Sequence, residues 1–119
     1  MKPITIYHNP RCSKSRAACE LIAERQLDAR VIDYLATPPS RGELLVLLDQ
    51  LGLEAEDLVR RSEAVFKENY AGREMSDEQW LDALIAHPIL IERPIVVRGD
   101  KAVIGRPTEK VIALLDATP

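Results

Sequence analysis

Residues 4–22, Ile4-Thr5-Ile6-Tyr7-His8-Asn9-Pro10-Arg11-Cys12-Ser13-Lys14-Ser15-Arg16-Ala17-Ala18-Cys19-Glu20-Leu21-Ile22, change periodicity partway along. Ile4 to Tyr7 alternates and is β-branched, the pattern of a short strand. His8-Asn9-Pro10 interrupts it. From Ser13 onward Ala17, Ala18, Leu21 and Ile22 recur at helical spacing and predict a helix to about Gln26. Val31-Ile32-Asp33-Tyr34 reads as a second strand. Strand, helix and strand in close succession make a βαβ unit, whose strands should be parallel and whose crossover right-handed.

Beyond it, Pro38-Pro39 breaks the chain, and Ser40 with Glu43 has capping-box spacing, opening a leucine-rich helix that Gly52 stops after Leu51. A shorter helix is expected from Ala55 to Arg61, then loop with helical turns over 62–75. Ser76 and Gln79 repeat the capping-box spacing ahead of Trp80, Leu81, Leu84 and Ile85, and His87-Pro88 ends that helix. Ile95-Val96-Val97, the turn Gly99-Asp100 and Ala102-Val103-Ile104 read as a hairpin. A last helix is expected after Pro107, with Val111, Ile112, Leu114 and Leu115 on its apolar face. The order βαβ, helical insert at about 40–87, then ββα predicts one α/β domain over 1–119 with a four-stranded mixed sheet.

Composition bounds the function. A chain of 119 residues suits one hydrophobic core, and a net charge of -3 gives no reason to expect nucleic acid or an anionic membrane as partner. No run of about 18 apolar residues is present, so no membrane span is expected. Two cysteines without an apolar leader point to free thiols in the cytoplasm. Eleven of the sixteen basic residues are arginine, the side chain whose planar donor fork suits oxyanions.

Cys12 carries the chemistry. It lies between strand and helix, where unpaired backbone N–H groups and the positive end of the helix dipole favour thiolate over thiol. Arg11, Lys14 and Arg16 crowd the same turn, and His8, if imidazolium, would add a cation. Cys19 is a poor resolving partner, because seven helical residues rise roughly 10 Å, beyond the roughly 7 Å Cα limit for a disulfide. It is expected to pack in the core. Position 15, where a dithiol oxidoreductase carries its second cysteine, is Ser15, so the resolving thiol must come from outside, glutathione and a glutaredoxin being natural suppliers.

Arg60, Arg93 and Arg106 each stand at an element end, where α/β sheets draw their site residues. Arg61, Arg73 and Arg98 fit solvated surface cations better. Arg93-Pro94 is an X-Pro bond at the start of a strand, a place that tolerates a missing ladder donor. His8 and His87 share no ligand pattern with a third residue, so no metal site is expected. Trp80 is expected to fill the core.

Together, His8-Asn9-Pro10-Arg11-Cys12-Ser13-Lys14-Ser15-Arg16, Tyr34-Leu35 with Pro38-Pro39, Leu58-Val59-Arg60, the run from His87 to Val97, and Gly105-Arg106-Pro107 resemble the glutaredoxin-coupled arsenate reductase family in order and spacing. The end at Pro119 resembles its short chromosomal members. The resemblance implies a thioredoxin-like fold with a helical insert and a cis peptide before Pro94. It implies that Cys12 is the nucleophile, that His8 lowers its pKa, and that Arg60, Arg93 and Arg106 bind the oxyanion. It implies reduction of arsenate with glutathione as co-substrate and glutaredoxin as partner, with no tightly bound cofactor. A phosphatase-like reductase would need arginine where Ala18 stands. Two alternatives remain: a monothiol oxidoreductase acting on glutathione mixed disulfides, since Cys12-Ser13-Lys14-Ser15 has the Cys-x-x-Ser form, and a non-enzymatic redox regulator that binds RNA polymerase.

Overall fold

The computed structural model describes residues 3–106 and 108–116. Pro107, expected to precede the last helix, lies outside the described residues. The chain divides into two units, one built from the chain up to Thr37 together with the chain from Arg93 onward, the other from Pro38–Glu92.

The first unit holds the sheet. β1 (Ile4–His8), β2 (Arg30–Asp33), β3 (Ile95–Arg98) and β4 (Lys101–Ile104) lie in the order β2-β1-β3-β4. β1 runs parallel to β2 and antiparallel to β3, and β3 and β4 form the hairpin. This is the four-stranded mixed sheet that the periodicities predict. Alternation along β1 sends Ile4 and Ile6 to one face, where they meet Val96 of β3. Two helices, α1 (Ser13–Glu24) and α5 (Glu109–Asp116), cover that face with Ala18 and Ile22 from one and Val111, Leu114 and Leu115 from the other. Burying each of the larger of these side chains stabilises the unit by roughly 1.5–3 kcal/mol. Gln26, just past α1, has a left-handed φ of 56°, which turns the chain back towards β2.

The second unit is helical. α2 (Arg41–Leu51) opens with the reciprocal capping box of Ser40 and Glu43 and stops at Gly52, whose φ of 70° suits a residue without Cβ. α4 (Asp77–Ala86) opens with the matching box of Ser76 and Gln79. Two expectations are corrected. The segment from Ala55 tightens into a single 3-10 turn over Ala55–Leu58 instead of a helix to Arg61. Val59 bridges Ile91, with Arg60 N–H donating to the Leu90 carbonyl at 2.7 Å and Glu92 N–H to the Leu58 carbonyl at 2.9 Å, so the backbone there is spent on a partner remote in sequence. Residues 64–69, expected as loop with turns, form the helix α3 (Ala64–Asn69), which buries only Phe66. Phe66 stacks on Trp80, which is buried as expected. Arg61, expected as a plain surface cation, sets its guanidinium over both rings, 5.3 Å and 5.9 Å from their centroids.

No described helix is long and apolar enough to cross a membrane.

Candidate active site

Strand register gathers the site. Tyr7 pairs with Ile95 and Ile95 with Ile104, while His8 pairs with Asp33. The loop after β1, the residue after β2, the entry to β3 and the exit from β4 therefore leave one end of the sheet. They carry Cys12, Tyr34, Arg93-Pro94 and Gly105-Arg106.

Cys12 is the extended residue before α1 and is half-buried; both cysteines are free thiols. Arg106 reaches it, Nη2 donating to Cys12 Sγ at 3.1 Å while Nε donates to the Arg93 carbonyl at 2.7 Å. Arg93 is buried and its guanidinium hydrogen-bonds the same sulfur. Burial alone pushes the Cys12 thiol up, but the Ser15 amide, the Arg93 guanidinium, the Lys14 amide and the Arg106 charge together outweigh it and hold the pKa below the ordinary thiol value. The Arg93-Pro94 peptide is cis. Gly105 backs onto the Pro94 ring, and its N–H donates to the Pro94 carbonyl at 2.8 Å.

His8 has other partners than Cys12. Its Nδ1 lies 2.7 Å from Ser15 Oγ and 3.6 Å from Cys19 Sγ. Ser15 Oγ also accepts the Asn9 N–H at 2.9 Å, so one hydroxyl joins the imidazole to the cysteine loop. Burial lowers the His8 pKa, Asp33 raising it and Arg16 lowering it further, so the ring is shifted towards its neutral form. Cys19, packed against the core as expected, is raised by burial and by Glu20. Arg60 lies in the second unit, its Nε buried and 3.5 Å from Glu63 Oε1.

Sequence reasoning passed over three residues here. Ser15, Asn9 and Tyr34 are all buried although polar. Ser15 had a signal: it stands three residues before Ala18 and seven before Ile22, on the stripe that α1 buries. Asn9 folds the cysteine loop, its Oδ1 accepting the Arg11 N–H and its carbonyl the Cys12 N–H, each at 3.0 Å.

The arrangement is an acidic thiol clasped by two guanidinium groups, a centre suited to attack on an oxyanion. The ArsC family model matches residues 7–114, a span that takes in Cys12, Arg93 and Arg106. The chain belongs to the ArsC family. A relative from Neisseria meningitidis serogroup A, named arsenate reductase, is 44% identical over 97% of this chain and all of its own length. The protein YfgD of Escherichia coli K12, described only as uncharacterized, is also 44% identical, over 96% of this chain and 98% of its own. Among solved structures, arsenate reductase from Vibrio cholerae superposes with a TM-score of 0.88 at 44% identity, covering 94% of this chain and 97% of that one. The thioredoxin-like fold is thereby shown for this ArsC chain. Among the described residues no group of three or more histidine, cysteine or acidic side chains could hold a metal ion.

Proposed function

We propose that the chain reduces arsenate to arsenite, with Cys12 as the single nucleophile and glutathione and a glutaredoxin as the thiol supply. One observation carries the reading: the Cys12 sulfur is hydrogen-bonded by both Arg93 and Arg106, so nucleophile and oxyanion donors share one place. The names of the relatives support the same substrate.

In the proposed cycle the Cys12 thiolate attacks As(V). A sulfur–arsenic bond forms, an arsenic–oxygen bond breaks, and the oxygen leaves as water after taking up protons. The glutathione thiolate then attacks Cys12 Sγ. The sulfur–arsenic electron pair stays on arsenic, which departs as As(III), and Cys12 is left in a mixed disulfide with glutathione. A glutaredoxin thiol removes the glutathione and restores Cys12. Arg93 and Arg106 hold the anion by charge-assisted hydrogen bonds. Arg60 is carried in the proposal on its match to the family pattern alone. His8, bonded to Ser15, acts on the sulfur through the Ser15 amide. Phosphate has the same shape and charge and should compete, while remaining unreduced by thiols.

The test is arsenate-dependent NADPH oxidation with glutathione, glutathione reductase and glutaredoxin. Turnover should vanish in Cys12→Ser and fall in Arg60→Ala. Absence of arsenate-dependent turnover in the wild type overturns the reading, and turnover of a glutathione mixed disulfide in the same assay would assign the chain to monothiol exchange.

A further inference from the structure

We propose that Tyr34 is a positioning residue, a neutral anchor that fixes the Arg93 guanidinium on the Cys12 sulfur without cancelling its charge. The inference rests on Cys12 as the nucleophile.

Tyr34 follows β2 and is wholly buried, with Asn9 and Arg93 almost as deeply enclosed. Its hydroxyl is hydrogen-bonded by the Asn9 side chain and by the Arg93 guanidinium, and it feels the charge of Cys12. Asn9 in turn accepts the backbone N–H groups of Arg11 and Cys12. One phenol thus joins the loop that presents the sulfur to the guanidinium that binds it.

The chemistry of the anchor decides its use. A buried guanidinium needs a partner, and a carboxylate is the usual one. A carboxylate would neutralise the cation and repel both the thiolate and an incoming oxyanion. A phenol, with an ordinary pKa of about 10, accepts the hydrogen bond while neutral. The full positive charge of Arg93 stays directed at the sulfur. If Tyr34 were only a core filler, Tyr34→Phe would keep its shape and change nothing at Cys12.

The experiment measures iodoacetamide alkylation of Cys12 against pH in the full chain, with mass spectrometry locating the label and thermal unfolding followed alongside. Tyr34→Phe should raise the alkylation midpoint by about 0.5 unit, the scale of one weakened contact to the thiolate. In an Arg93→Lys background the same substitution should have little further effect, because the hold on the guanidinium is already gone. An unmoved midpoint, with or without a lower melting temperature, overturns the proposal, as does an equal shift in both backgrounds. Tyr34→Met serves the same cycle should the Phe variant not fold. Alkylation needs no arsenate, so failure of the reductase reading and failure of this one are separable.

Discussion

Arg106 binds the Cys12 sulfur across 94 residues of sequence while also holding the carbonyl of Arg93. The guanidinium is therefore fixed at two points by its own planar fork. In the proposed cycle the sulfur ceases to be an anion once it bonds arsenic, which releases the Nη2 donor to an arsenate oxygen.

Arg106→Lys keeps the charge but cannot make both contacts, since an ammonium offers no fork. Alkylation of Cys12 at neutral pH is expected to slow by roughly threefold to tenfold, the order of one charge-assisted hydrogen bond at a half-exposed site. Rates matching wild type would show that charge alone suffices.

The two thiols are shifted in opposite directions, Cys12 down and Cys19 up. Limiting reagent at neutral pH should therefore label Cys12 first. The linkage follows the same sign. A depressed native thiol pKa means that the unfolded chain binds more protons between the lowered value and the ordinary one, so the contribution of Cys12 to stability grows as pH rises through that window and is lost as pH falls. Unfolding of wild type against Cys12→Ser across that range should show the gap widening towards alkaline pH. A constant gap would contradict the lowered pKa.

Gly105→Ala should destabilise the first unit. A Cβ there would lie 2.8 Å from Pro94 Cγ and 2.9 Å from Val111 Cγ2, both closer than real Cβ contacts allow. Neither neighbour is the far end of a flexible chain. The cost is expected at about 1–3 kcal/mol in denaturant unfolding, with turnover falling too because Arg106 is the next residue.

Arg61→Ala removes the cation above Phe66 and Trp80 and the pairing with Glu56 at 3.0 Å. A loss of roughly 0.5–1 kcal/mol is expected, with a change in Trp80 fluorescence. No change in either would return Arg61 to the role of a plain surface charge.

What the sequence disclosed divides along the range of the interactions involved. The strand–helix–strand start and the two capping boxes were legible because periodicity and the Ser40–Glu43 and Ser76–Gln79 spacings are local signals. α3 was not legible, because one buried Phe66 makes no period. The turn at Ala55–Leu58 was missed because the Val59–Ile91 bridge that ends it is made with a distant segment. At the site, Cys12 announced itself by its place before a helix among cations. Arg93 and Arg106 stood out by their places at element ends and by the family pattern, and their meeting depends on strand register. Ser15 was legible only as a place on the buried stripe of α1, while the roles of Asn9 and Tyr34 stayed hidden because each is satisfied by groups that only folding brings near, and the His8 partners were hidden for the same reason.

The first unit is closed by chain made well after its cysteine loop. At a synthesis rate of roughly 5–20 residues per second, Arg106, 94 positions after Cys12, appears on the order of 5–20 s later. Until Arg93 and then Arg106 are made, the thiol has its helix start without its full pair of guanidinium groups, and it behaves closer to an ordinary cysteine. A nascent or truncated chain is thus spared a reactive nucleophile, and acidity at Cys12 reports that the whole first unit has come together.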